Sequence, residues 1–121
     1  MHKNFLIVDD DWGVCNSFAM LLRGEGYRVD STTDSVEAEI LINKNRYDAC
    51  FFDYKMKGMH GIDLLKMTKN VNPQCSVFIV SAMLNLDALC KKEIKAGLVA
   101  GIISKPFDVG ALLQRIAALV K

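Results

Sequence analysis

FLIVDDD, residues 5–11, is the stretch that decides how the chain is read. Phe5, Leu6, Ile7 and Val8 form an unbroken apolar run, the pattern of a strand buried on both faces of a sheet. Three carboxylates, Asp9, Asp10 and Asp11, follow at once, so the chain leaves the core abruptly at the carboxyl end of that strand. The same transition recurs three times. Ala49-Cys50-Phe51-Phe52 runs into Asp53, Val77-Phe78-Ile79-Val80 runs into Ser81, and Ile102-Ile103 runs into Ser104-Lys105-Pro106.

The segments between these runs are amphipathic. Val14, Phe18, Leu21 and Leu22 recur at helical spacing, and Gly24 and Gly26 close that helix. Tyr27 to Ser31 reads as a second, shorter strand. Asp34 is placed to cap the next helix in a capping box with Glu37, with Val36, Ile40 and Leu41 as its buried stripe. Gly58 and Gly61 mark a loop after Asp53. A third helix follows with Ile62, Leu65 and Val71, and ends at the turn Asn72-Pro73. Leu86, Leu89, Cys90 and Ile94 give a fourth helix that Gly97 closes, and Val109, Leu112, Leu113, Ile116 and Val120 give the last. Five strands alternating with five helices predict an α/β fold, a doubly wound five-stranded parallel sheet with helices on both faces. No linker, repeat or low-complexity tract interrupts the pattern, so residues 1–121 are expected to form a single domain.

Composition narrows the function. At 121 residues, 51% of them apolar, the chain can bury a real core. Its formal charge of +1 lacks the basic excess of a dedicated nucleic-acid binder, so no direct nucleic-acid binding is expected. The apolar run near the N-terminus is too short for a secretory h-region or a membrane span, so no membrane association is expected either. Cys15, Cys50, Cys75 and Cys90 form no C-x-x-C and have no histidine at zinc-ligand spacing; they read as free, mostly buried thiols. Reduced thiols without a signal peptide predict a cytoplasmic protein.

In open α/β sheets, ligands gather outside the carboxyl ends of the strands. Asp9, Asp10, Asp53, Ser81 and Lys105 all fall there. Taken singly, each has an ordinary reading: Asp53 as a turn residue, Ser81 as a partner for local backbone, Lys105 as a solvated loop lysine. Their coincidence on one sheet edge is what calls for chemistry. Clustered carboxylates repel one another and ask for a cation. Mg2+ fits best, since it takes hard oxygen ligands and keeps room for waters and a phosphate oxygen. With Mg2+ and the Lys105 ammonium in place, Asp53 can act as a carboxylate nucleophile toward phosphorus, and the Ser81 hydroxyl can hydrogen-bond a phosphoryl oxygen. Asp11 reads as a helix N-cap rather than a ligand. His60 reads as solvated, and Trp12 as packing on the surface of the first helix.

These residues closely resemble the receiver domain of bacterial two-component response regulators. The carrying motifs are FLIVDDD at 5–11, CFFDYKMKGMHGIDLL at 50–65, VFIVSA at 77–82 and GIISKPF at 101–107. The resemblance runs from Phe5 to about Val120 and implies a flavodoxin-like (βα)5 fold. It implies Asp53 as phosphoacceptor, with Mg2+ held by Asp9, Asp10, Asp53 and the backbone carbonyl of Lys55. Ser81 matches the hydroxyl residue that moves toward the phosphoryl group, and Lys105 the lysine that contacts it. The implied donor is a sensor histidine kinase, a phosphotransfer protein or a small phosphodonor. The output is an unidentified domain or effector protein. The resemblance also implies a phosphoacceptor rather than an enzyme, one that assists its own phosphorylation and dephosphorylation, and a homodimer face on the fourth helix, fifth strand and fifth helix. Lys55 and Met83 occupy positions that tune water attack on the phosphoryl group. Three departures stand out. Ile102 replaces a usual Tyr or Phe whose ring swings as the hydroxyl residue moves. Lys57 replaces a common proline, and the stretch from Ser81 to Lys105 is slightly long. Two other readings compete: a phosphorylation-independent interaction module of the same fold, and a small Mg2+-dependent phosphohydrolase with Asp9 as nucleophile.

Overall fold

A computed structural model describes residues 3–58, 60–83, 85–105 and 107–119, apart from the side chains of Leu86, Asp87 and Leu119. The expectations placed on His2, Pro106, Val120 and the Leu86 side chain lie outside the described residues. The elements are β1 (Asn4–Val8), α1 (Trp12–Gly24), β2 (Arg28–Thr32), α2 (Ser35–Lys44), β3 (Ala49–Asp53), α3 (Gly61–Val71), β4 (Ser76–Ser81), α4 (Leu86–Leu89), α5 (Lys91–Lys95), β5 (Gly101–Ser104) and α6 (Val109–Leu119). All four strand pairings are parallel, in the order β2-β1-β3-β4-β5. The order reverses between β1 and β3, and a crevice at such a reversal is where open sheets of this kind bind ligands.

Strict alternation along the three central strands builds two core layers. Phe5, Ile7, Ala49, Phe51, Phe78 and Val80 face α1 and α6, where Cys15, Phe18, Ala19, Leu22, Leu112 and Ile116 are buried. Leu6, Val8, Cys50, Phe52, Val77 and Ile79 face α2 and α3, with Ala38, Ile42, Leu64 and Leu65. Phe51 is the hub of the first layer. Its ring stacks on Phe78 at 4.9 Å and meets Phe18 and Phe5 edge-on at 5.0 and 5.7 Å.

Several sequence expectations need correction. The buried stripe of α2 is Ala38 and Ile42; Val36 and Ile40 point outward, 63% and 49% exposed, because the small Ala38 lets the helix sit against the sheet on that side. The α2 cap is Asp34 alone, its carboxylate accepting from the Val36 N–H at 3.0 Å. The expected capping box fails because the Asp34 N–H is already taken by Thr32 Oγ1. The fourth helix is two short pieces, α4 and α5, broken at Cys90. Among the described side chains of its expected stripe, Cys90 is buried, while Leu89 and Ile94 are exposed. Val71 and Val109 are also exposed, and the Leu64 and Thr68 positions on α3 are buried instead. Trp12 is 71% exposed rather than packed. Gly26 and Gly97 take the positive φ values that end α1 and α5, which only glycine does without strain. On the edge strand β5, Arg115 of α6 donates from Nη1 to the Ile102 carbonyl at 3.1 Å, and its guanidinium lies over Gly101. Among the described residues no helix is long and apolar enough to cross a membrane.

The layer around Phe51 sets a stability test. Phe51→Ala is expected to lower the unfolding free energy by about 3–5 kcal/mol in urea titrations. Val36→Ala, on the outward face of α2, is expected to change it by less than about 0.5 kcal/mol.

Candidate functional site

The strand ends deliver the polar residues to one crevice. β1 passes into Asp9, whose N–H still reaches the Thr32 carbonyl of β2 at 3.3 Å, so its backbone continues the ladder. Asp9 is buried, and its Oδ1 accepts from the Asp11 N–H at 3.0 Å. Asp11 is the N-cap of α1, its carboxylate accepting from the Val14 N–H at 3.1 Å, as its sequence position predicts. Asp10, between them, is exposed. Asp53 closes β3 and is 9% exposed. Its next residue, Tyr54, donates its N–H to the Val80 carbonyl at 3.0 Å, which ties the loop after Asp53 to β4.

Oxygen atoms of Asp9, Asp10 and Asp53 lie within 4.8 Å of one another. Lys105 reaches into this group. Its Nζ is 2.6 Å from Asp9 Oδ2 and 3.8 Å from Asp53 Oδ1. Its backbone N–H bonds the Ser81 carbonyl at 2.9 Å, so the lysine is fixed at its base as well as its tip. Burial pushes the Asp53 carboxyl up to about 6; the charge of Asp9 and, less, of Asp10 add to this, while Lys105 pulls it back. The hydroxyl of Ser81, buried at the end of β4, accepts from the Met83 N–H at 3.1 Å. Lys55 is exposed, two residues beyond Asp53. Lys57 and His60 are exposed in the same loop; the His60 ring lies edge-on to Tyr54 and 3.3 Å from its carbonyl.

Gly61 matters here in a way the sequence reading missed. It starts α3 directly against the main chain of Asp53, with its N–H on the Tyr54 carbonyl at 2.9 Å. A Cβ at position 61 would collide with the Asp53 carbonyl. The glycine is what lets the helix abut the strand end. The available signal was a glycine at the first helical position, a place where most other residues would serve as well or better.

Three carboxylates converging on one point, with a single ammonium among them, make a donor set suited to a hard divalent cation. The family model for the response regulator receiver domain matches residues 5–117. Sporulation initiation phosphotransferase F of Bacillus subtilis (strain 168) is 30% identical over 109 residues, covering 90% of this chain and 86% of that protein. Transcriptional regulatory protein ZraR of Klebsiella oxytoca is 34% identical over 109 residues, covering 90% of this chain and 24% of ZraR. The chain spans about half of response regulator MprA of Mycobacterium sp. (strain KMS), 52% of its length at 32% identity. The solved structure of a CheY-like response regulator receiver domain protein from Methanospirillum hungatei JF-1 superposes with a TM-score of 0.88 at 28% identity, covering 98% of this chain and 93% of that one.

The raised pKa of Asp53 has a consequence for the metal-free chain. A carboxyl held above its ordinary value of 3.8 weakens the fold when ionised. The penalty is absent below about pH 4, grows as pH rises toward 6 and is complete above it. In the presence of a chelator, Asp53→Asn is therefore expected to stabilise the protein at pH 7.5 by about 1–3 kcal/mol, with the gain vanishing near pH 4. Urea titrations at the two pH values check this, and an equal gain at both would contradict it.

Proposed function

The chain belongs to the response regulator receiver domain family, and from that premise we propose that it accepts a phosphoryl group on Asp53 from a histidine kinase or phosphotransfer protein. The observation that carries this reading is the placement of Lys105 between Asp9 and Asp53, 2.6 and 3.8 Å away, beside the three converging carboxylates.

The chain's own groups divide the work. Asp53 is the nucleophile: one carboxylate oxygen bonds phosphorus as the bond from phosphorus to the donor nitrogen breaks. Its pKa of about 6 leaves it ionised at neutral pH, and burial strips it of some hydration, so the charge is available for attack. Asp9 is not suited to that role, because its two oxygens are engaged by Lys105 and by the Asp11 N–H. This disfavours the phosphohydrolase alternative. Lys105 holds a positive charge where the phosphoryl oxygens would arrive. Ser81 stands one residue past Val80, the register partner of Asp53, and its hydroxyl proton is available to a phosphoryl oxygen while its oxygen keeps the Met83 N–H. Asp9, Asp10, Asp53 and the main-chain carbonyl of Lys55 would hold a Mg2+ ion, which would offset the charge of the carboxylates and of an incoming phosphoryl group.

The chain assists the making and breaking of its own phosphoryl bond and passes the change to an output domain or effector protein. The exposed Leu89, Ile94 and Val109, flanking β5, support a homodimer face made of α4, α5, β5 and α6. A near-neutral net charge supports protein partners rather than nucleic acid.

Incubation with acetyl phosphate and Mg2+ is expected to add about 80 Da, one phosphoryl group, at Asp53. Asp53→Asn and chelation should each abolish the adduct, and Lys105→Met should slow its formation by about 10- to 1,000-fold. Intact mass and peptide mapping read the result; label on Asp9 would point to the hydrolase, and no label to the interaction module. The same assay followed over time tests Met83, which is 40% exposed beside Ser81. Met83→Ser is expected to shorten the lifetime of the adduct by admitting water, and an unchanged lifetime would remove the screening role.

A further inference from the structure

The second core layer holds a pair of thiols that the phosphoryl chemistry does not use. Cys50 is the second residue of β3, three before Asp53, and Cys75 immediately precedes β4. Their Sγ atoms are 3.5 Å apart, one thiol donating to the other. Both side chains are buried, at 0% and 1% exposure. Cys50 pairs in register with Val77, so Cys75 sits one diagonal step away on the same face of the sheet. Cys15 lies in the opposite core layer, and among the described residues no other two sulfurs hydrogen-bond.

We propose that Cys50 and Cys75 form a site of reversible covalent modification, in which a peroxide oxidises the pair to a disulfide that joins the start of β3 to the start of β4.

The geometry needs a small movement. Bringing 3.5 Å to the bonded sulfur–sulfur length means closing about 1.5 Å. Lys69, on α3, donates from Nζ to the Cys75 carbonyl, which puts an ammonium beside that residue. The Cys50 thiol favours the thiolate of Cys75 against the cost of its burial, with a smaller contribution from Lys69, whereas burial pushes Cys50 well above its ordinary value. Cys75 is therefore the attacking sulfur. Its thiolate forms an S–O bond to one peroxide oxygen as the O–O bond breaks, and the departing hydroxide takes up a proton to leave as water. Cys50 then attacks the sulfenic sulfur; the S–S bond forms, the S–O bond breaks, and the Cys50 proton leaves with the hydroxide as the second water. The two thiols lose two electrons in total, and the peroxide gains them. The ring so closed contains Asp53, the loop after it and α3, so the bond encircles the proposed phosphoacceptor without using any residue assigned to the chemistry.

The test is hydrogen peroxide on the folded, full chain, followed by alkylation and mass spectrometry. The expected result is a species lighter by about 2 Da that a dithiol reductant restores, with a mapped Cys50–Cys75 crosslink. Cys50→Ser and Cys75→Ser should lose that species, and Cys15→Ser and Cys90→Ser should keep it. Stepwise gains of about 16 Da with no lighter species would overturn the proposal. So would a crosslink between any other pair in the wild-type chain, a result that does not depend on any variant folding.

Discussion

Lys105 is the interaction on which the site depends. Three carboxylates gathered within 4.8 Å at the end of a buried sheet would repel one another and lose hydration. The ammonium at 2.6 Å from Asp9 offsets much of that cost and comes from the far end of the chain, so the acid cluster is completed only when β5 has docked beside β4. The balance is incomplete by construction: one lysine faces three acids. Burial holds the Asp53 carboxyl near 6, and the charges of Asp9 and Asp10 add to this, while Lys105 leans toward Asp9. A divalent cation is what the residual negative charge favours.

Most of the sheet was legible because parallel strands buried on both faces announce themselves as apolar runs that stop at polar residues. FLIV before Asp9 and CFF before Asp53 are read without knowing any contact. Asp9, Asp53 and Ser81 were legible as candidates for the same reason, since they are the residues at which those runs stop. Helix faces were harder. On α2, Val36 and Ile40 look like core and are exposed, while Ala38 is buried; a small residue carries little hydrophobic signal, yet its size is what brings the helix close. The capping of α2 misled because a backbone N–H has one bond to give, and Thr32 Oγ1 stood nearer in space than Glu37 in sequence suggested. Gly61 was invisible as a contact residue because its importance lies in a side chain it does not have.

Ile102 and the broken fourth helix belong together. Ile102 is half-buried and packs on the layer that holds Ile79, Cys90 and Leu98, so its side chain is part of the core rather than a ring free to rotate. The neighbouring segment is divided into α4 and α5, each too short to be stable alone. Ile102 thus sits beside a segment of short, divided helices, whereas the strands that lead to Asp9 and carry Asp53 and Ser81 are continuous and buried.

Arg115 gives the last element a role outside signalling. β5 is an edge strand, and an open edge of a parallel sheet is a template for another chain's strand. The guanidinium that holds the Ile102 carbonyl and covers Gly101 places a charge along that template. A foreign strand could add there only by displacing the arginine or burying its charge, both costly. The isoleucine pair of this edge strand is thereby less open to strand addition from another molecule.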